Sequence, residues 1–157
     1  MPILTPADLK RTLTPGRRLM GIDLGTKTIG LALSDSLRMV ATPLVTRARG
    51  RFADDAAALA ALRREHQVAA LVLGLPLNMD GSEGPRCQAT RAFARNLLGV
   101  DDPAIVFWDE RLSTAAVTRG MVEADLSRAR RAEIVDRAAA AYILQGLLDR
   151  LANMPVA

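Results

Sequence analysis

Leu19-Met20-Gly21-Ile22-Asp23-Leu24-Gly25-Thr26-Lys27-Thr28-Ile29-Gly30 is an apolar run broken by one carboxylate and closed by a glycine-flanked turn. The apolar stretch Leu19 to Leu24 is too short for a buried helix and suits a buried strand, with Thr28 to Ser34 as its partner across the turn. Gly25 and Gly30 bracket that turn, where access to positive φ would explain both glycines. An ionised aspartate inside such a strand is costly unless a cation, hydrogen bonds or a proton compensates it. Asp23 is therefore a residue that packing alone does not explain.

Working outward, Met39 to Val45 reads as a third strand, and the short links favour an antiparallel meander. Phe52 to His66 reads as a helix, Val68 to Leu73 as a buried strand, and Gly74 to Pro85 as a loop rich in glycine and proline. A helix over Arg86 to Leu98, a strand over Ala104 to Trp108, and helices over Ser113 to Asp125 and Arg131 to Leu151 complete the chain. Upstream, Thr5-Pro6 opens a short helix, with Thr5 as its cap. Three hairpin-linked strands followed by two reached through helices imply an α/β fold with a mixed five-stranded sheet and helices on both faces. Residues 1–16 form an N-terminal extension, 17–152 one domain, and 153–157 a tail.

The formal net charge is +4 and the isoelectric point about 10.2, so polyanions are natural partners. An arginine- and alanine-rich composition can equally reflect genome base composition. Aromatic residues are only 3 % of the chain, which argues against a base-stacking platform and leaves backbone contacts to dominate. Nothing approaches the apolar length of a membrane span, and the opening MPILTPADLKRTL carries charge where a signal peptide needs an apolar core. The expectation is a cytoplasmic protein. The single cysteine, Cys87, cannot form an internal disulfide, consistent with a reducing compartment.

Two further acidic positions join Asp23. Asp136, Ala140, Ile143 and Leu147 fall at i, i+4, i+7 and i+11, so Asp136 continues the core-facing stripe of the last helix. Asp109-Glu110 terminates the strand Ile105-Val106-Phe107-Trp108, and its parity leaves open which of the two faces the core. Any one of these acids could be a salt-bridged structural group; three on elements that pack together suggest a shared site. His66 reads as a helix-end residue, and Cys87 has no neighbouring base to make it a nucleophile. Carboxylates without histidine or cysteine clusters select hard cations, magnesium or manganese. Arg128, Arg130 and Arg131 precede Asp136 by two turns or less and could clamp a phosphate backbone or simply solvate a helix start. Lys27 at the hairpin tip could touch a phosphate, Arg111 adjoins Glu110, and Asn78, Asp80 and Ser82 lie in a loop that could rim the site.

The Gly21 to Gly30 segment resembles both the ribonuclease-H-like nucleases and the actin-like ATPases and sugar kinases. Gly74-Leu75-Pro76-Leu77-Asn78-Met79-Asp80-Gly81-Ser82-Glu83-Gly84, Asp109-Glu110-Arg111-Leu112-Ser113-Thr114, and Arg130-Arg131 with Ile134-Val135-Asp136 and Ala139-Ala140 then resemble the YqgF/RuvX family. Its members are Holliday-junction-resolvase-like proteins also described as pre-16S rRNA nucleases. The resemblance implies a ribonuclease-H-like fold with strand order 3-2-1-4-5. It also implies a catalytic and metal-binding set of Asp23, Glu110 and Asp136, with magnesium or manganese as cofactor and precursor ribosomal RNA as substrate. Junction resolvases carry a glutamate at the end of the fourth strand, where this chain has Gly74-Leu75-Pro76. Here the acid has moved to the end of the fifth strand, two strands from Asp23, roughly 10 Å by sheet spacing. A DNA-junction resolvase remains an alternative, although symmetric cutting would call for a two-fold dimer and no dimer face is evident; a monomer or weak homodimer is expected. A non-catalytic RNA-binding factor is a second alternative. An ATP-binding actin-like module is disfavoured, because that architecture needs two lobes.

Overall fold

The computed structural model describes residues 3–112 and 128–155, and the side chains of all of these except 128–136. The elements are β1 (Ile3–Leu4), α1 (Pro6–Thr12), β2 (Arg18–Leu24), β3 (Thr28–Ser34), β4 (Ala41–Ala48) and α2 (Phe52–Glu65). Then come β5 (Val68–Leu75), α3 (Pro85–Val100), β6 (Ala104–Asp109), a single 3-10 turn (Glu110–Leu112) and α4 (Arg128–Asn153). The helix expected over Ser113 to Asp125 lies outside the described residues. No helix among the described residues is long and apolar enough to cross a membrane.

The strands form one sheet in the order β1-β6-β5-β2-β3-β4. β2–β3 and β3–β4 pair antiparallel, while β2–β5, β5–β6 and β1–β6 pair parallel. The five strands expected from sequence keep their anticipated order, but the sheet has six. The sixth is Ile3–Leu4, which pairs with Ile105 and Val106. Two residues are too few to carry a periodic signal, so sequence reading missed it. The N-terminal segment is also integrated with the core. Thr5 and Asp8 cap α1 reciprocally, Leu9 is fully buried beside α4, and Lys10 Nζ donates to the Leu151 and Met154 carbonyls.

Alternation along the strands divides the core between two faces. Leu19, Ala32, Ala70, Val72, Val106 and Trp108 meet Ala140, Ile143, Leu144 and Leu147 of α4. Met20, Ile22, Leu31, Leu71, Leu73 and Ile105 meet Leu59 of α2 and Phe93, Ala94 and Leu97 of α3 on the other. Helices thus cover both faces, as expected. β4 begins at Ala41, two residues later than anticipated, because the Asp35 carboxylate takes the Met39 and Val40 N–H groups at 2.7 and 3.0 Å. The expected positive φ at Gly25 and Gly30 is not found; among the described residues the positive-φ glycines are Gly16 and Gly81. Gly25 instead closes the turn by donating its N–H to the Thr28 carbonyl at 2.9 Å.

α4 lies close on β2. A Cβ at Gly21 would stand 2.6 Å from the Ala140 carbonyl oxygen and 2.8 Å from the Leu144 Cβ. Gln145, one residue on, accepts from the Ala41 N–H at 2.8 Å and donates to the Met39 carbonyl at 3.0 Å. Ala41 is paired with Ser34, whose Oγ accepts from the Leu19 N–H, so these contacts mark the starting end of β2. Further along, Ile143 lies against the Gly74 position of β5 and Gly146 against the Trp108 indole of β6, so α4 crosses these strands on one face of the sheet.

Candidate active site

Asp23, Gly74 and Glu110 come from the carboxyl ends of three adjacent parallel strands. Asp23 is 3 % and Glu110 5 % exposed, so both carboxylates are withdrawn from solvent. The Ile22–Leu73 pair sets Asp23 one residue further along, level with Gly74. Gly74 in turn pairs with Trp108, two residues before Glu110. A Cβ at Gly74 would lie 3.0 Å from the Glu110 Cγ, so the Glu110 side chain occupies the space that any larger residue at 74 would need. This crossing shortens the two-strand separation between Glu110 and Asp23. The helix α4 covers the same spot, with Ile143 Cδ1 at 2.5 Å from that Cβ position.

The ambiguity between Asp109 and Glu110 has a structural answer. β6 runs through Asp109, so successive residues there alternate faces, and Glu110 turns to the α4 side. Asp109 is bound by Arg111, whose Nε lies 3.1 Å from both carboxylate oxygens and whose Nη2 lies 2.8 Å from Oδ2. The Arg111 hydrogen bonds hold the Asp109 carboxyl below its ordinary range and raise the guanidinium in return. Arg111 also donates to the Met79 carbonyl at 3.3 Å, tying this corner to the 76–84 loop.

That loop closes on itself. Asn78 Nδ2 donates to Ser82 Oγ at 3.0 Å, Ser82 Oγ to Asp80 Oδ1 at 2.6 Å, and the Ser82 N–H to the same oxygen at 2.9 Å. The Ser82 hydroxyl and N–H keep the Asp80 carboxyl below its ordinary value. Asn78, Asp80 and Ser82 are exposed and bind one another. Cys87, fully buried in the first turn of α3, has its thiol pushed up by burial first and by Glu83 and Glu110 besides, which keeps it protonated. His66 is the C-cap of α2, its N–H donating to the Leu62 carbonyl.

Lys27 is exposed at the hairpin tip. Asp136, Arg128, Arg130 and Arg131 stand on α4, but their side chains lie outside the described residues. By backbone position Asp136 is one turn before Ala140, whose carbonyl lies against Gly21 of β2. Among the described residues no three His, Cys, Asp or Glu side chains form a metal-holding group. The two described acids, Asp23 and Glu110, supply oxygen donors only, which suits magnesium or manganese and not zinc. Sequence reading marked Gly74-Leu75-Pro76 only as the place where an acid is missing, and did not single out Asp55 or the Arg47-Ala48-Arg49-Gly50-Arg51 segment. Its alternating arginines were a usable signal, but the strand was expected to stop at Val45.

The family model described as RuvX, Holliday junction resolvase, matches residues 17–150. The chain belongs to the RuvX family. A relative from Methylocella silvestris named "Putative pre-16S rRNA nuclease" is 60 % identical over 149 residues, covering 95 % of this chain and 92 % of its own. A relative of the same name from Cereibacter sphaeroides is 62 % identical over 133 residues, covering 85 % and 83 %. Among solved structures, Thermus thermophilus RuvC in complex with a Holliday junction substrate superimposes with a TM-score of 0.52 at 14 % identity, covering 85 % of this chain and 95 % of that one. The RuvX-family chain therefore has the ribonuclease-H-like fold that its motifs implied.

Proposed function

We propose that this protein is a metal-dependent nuclease that hydrolyses phosphodiesters in the precursor of 16S ribosomal RNA. The observation that carries the reading is the convergence of two buried carboxylates, Asp23 and Glu110, on the side-chain-free position Gly74. Relatives at about 60 % identity carry a pre-16S rRNA nuclease name, which supports RNA as the substrate. The protein would work in the cytoplasm, as a monomer or weak homodimer.

In this reading Asp23 and Glu110 hold a magnesium or manganese ion, with Asp136 as the third carboxylate from α4. Such an ion would supply Lewis-acid chemistry for activating water and stabilising the leaving oxygen of a phosphodiester. The protein's own part is positional. β2 and β6 fix the two acids on a rigid sheet, Gly74 leaves room for the Glu110 side chain to lie over β5, and α4 screens both acids from bulk water, which strengthens the action of fixed charges there. Arg111 is neutralised by Asp109 and serves as a brace for the 76–84 loop. Cations from Arg128, Arg130 and Arg131 would hold the scissile strand.

The test is cleavage of precursor-like structured RNA, single-stranded RNA and four-way DNA junctions by purified protein with magnesium or manganese. RNA cleavage abolished by Asp23→Asn and by Glu110→Gln is the expected result. Preferential cutting of the four-way junction would favour the resolvase alternative, and cleavage retained by both variants would overturn the assigned site.

A further inference from the structure

Asp55 is a buried acid that the nuclease site does not use, at 1 % exposure in the first turn of α2. Its carboxylate accepts the Gly50 N–H at 3.2 Å on both oxygens and Arg47 Nε at 3.3 Å on Oδ1. Those bonds bend the end of β4 back over the start of α2. Arg47 is thereby neutralised, and the next two arginines are carried out to either side of Gly50.

Arg49 is fixed by a different set of contacts. Its N–H donates to the Lys27 carbonyl at 2.9 Å and its Nη1 to the Gly25 carbonyl at 2.8 Å. Its guanidinium carbon stands 5.9 Å from the centre of the Phe93 ring, which Phe52 supports edge-on at 5.5 Å. Gly25 is two residues after Asp23, roughly 7 Å of extended chain, and Phe93 belongs to the α2–α3 face, so the guanidinium stands at the carboxyl end of β2 on the face opposite α4. The arginines near this end of the sheet fall into two groups. Arg91 is paired with Glu83, Arg111 with Asp109 and Arg47 with Asp55. The Arg49 guanidinium is held by the Gly25 carbonyl oxygen and a ring, which orient it without cancelling its charge, and it remains exposed. Exposed Lys27 and Arg51 flank it.

We propose that Arg49 is a pre-oriented contact for the phosphate backbone of the RNA strand, on the hairpin side of the Asp23–Glu110 site, with Lys27 and Arg51 beside it. The proposal rests on the nuclease reading for the identity of its ligand. A guanidinium already fixed by two neighbours loses little freedom on meeting a phosphate, and its remaining donors can bind one in a fork. The contact carries no sequence information and sets where the strand enters.

The decisive measurement is anisotropy of a labelled mixed-sequence single-stranded RNA titrated with the full chain in EDTA over a salt series. Binding without metal separates this contact from catalysis. Arg49→Ala should weaken low-salt affinity on the order of tenfold. It should also reduce the slope of log affinity against log salt by about 0.7, one single-strand phosphate. Arg49→Lys should keep the slope and lose part of the affinity, because it keeps the charge and loses the fork. Arg150→Ala, exposed near the far end of α4, should change neither. Unfolding followed by Trp108 emission checks that each variant is folded, and Arg49→Lys serves if Arg49→Ala is not. Wild-type slope and affinity in the Arg49 variants, or an equal loss in Arg150→Ala, overturns the contact while wild-type RNA cleavage leaves the nuclease reading standing. A wild-type protein that neither binds nor cleaves RNA overturns both.

Discussion

Replacing Gly74 by alanine tests how the site is seated. The added Cβ would stand 2.5 Å from Ile143 Cδ1 and 3.0 Å from both Ile143 Cγ1 and Glu110 Cγ. Carbon atoms pack favourably at roughly 3.5–4.0 Å, so these contacts are repulsive. Ile143 is completely buried and has no free side to retreat to. Overpacking of this kind costs about 1–3 kcal/mol. Ile143→Val alone should cost about 0.5–1.5 kcal/mol through the lost methyl. The same methyl makes the closest clash, so the double variant should be no less stable than Gly74→Ala alone, with a favourable coupling of about 0.5–3 kcal/mol. Urea unfolding followed by Trp108 emission measures this directly, since Trp108 is the sole tryptophan and pairs with Gly74 across β5–β6. In the double variant the contact with Glu110 remains. Cleavage should therefore stay depressed, on the order of a hundredfold for a misplacement near 1 Å, after stability has recovered. Strict additivity of the two costs, or wild-type stability in Gly74→Ala, would refute the packing argument. Wild-type activity in the folded double variant would refute the role of Gly74 in seating Glu110.

Three further outcomes follow from the same geometry. Asp23→Asn should abolish metal-dependent cleavage while holding or raising the metal-free unfolding midpoint, because one of two neighbouring buried like charges is removed; a large drop would mark Asp23 as a structural acid. Leu9→Ala should cost about 2–5 kcal/mol in urea unfolding, because α1 is part of the α4-side core; a cost below about 0.5 kcal/mol would show that the N-terminal segment unfolds separately. Asp109 has its carboxyl lowered by Arg111, so this pair contributes stability above the ordinary value of 3.8 and loses it as pH falls through the lower folded value. Amide exchange at Arg111, whose N–H donates to Asp109 Oδ1, should stay protected at about pH 5 and lose protection in stronger acid, with Asp109→Asn removing that dependence. Loss at neutral pH would refute it.

What the sequence determined by itself was whatever is written in short-range pattern. The hydrophobic runs located β2, β3, β5 and β6, the Thr5-Pro6 cap located α1, and the stripe Ala140, Ile143 and Leu147 located the covered side of α4. Asp23 stood out because a charge inside an apolar strand is anomalous whatever surrounds it. The tertiary structure alone decided the rest, because each remaining question depended on residues far apart in the chain. Ile3–Leu4 becomes a strand only when β6 offers an edge 102 residues later, Ile105 against Ile3. The resemblance implied Glu110, but which of Asp109 and Glu110 is buried turned on the residue at which β6 ends, which local sequence leaves uncertain by a residue or two. Gly74 read in sequence as the place where a junction resolvase's glutamate is missing; why it is glycine became visible only with Ile143 and Glu110 within 3.0 Å of the side chain it lacks. The charge carried by each arginine was equally invisible. Arg91, Arg111 and Arg49 read alike in sequence, and only their neighbours in space — Glu83 and Asp109 for the first two, the Gly25 carbonyl and the Phe93 ring for the third — divide the neutralised from the exposed.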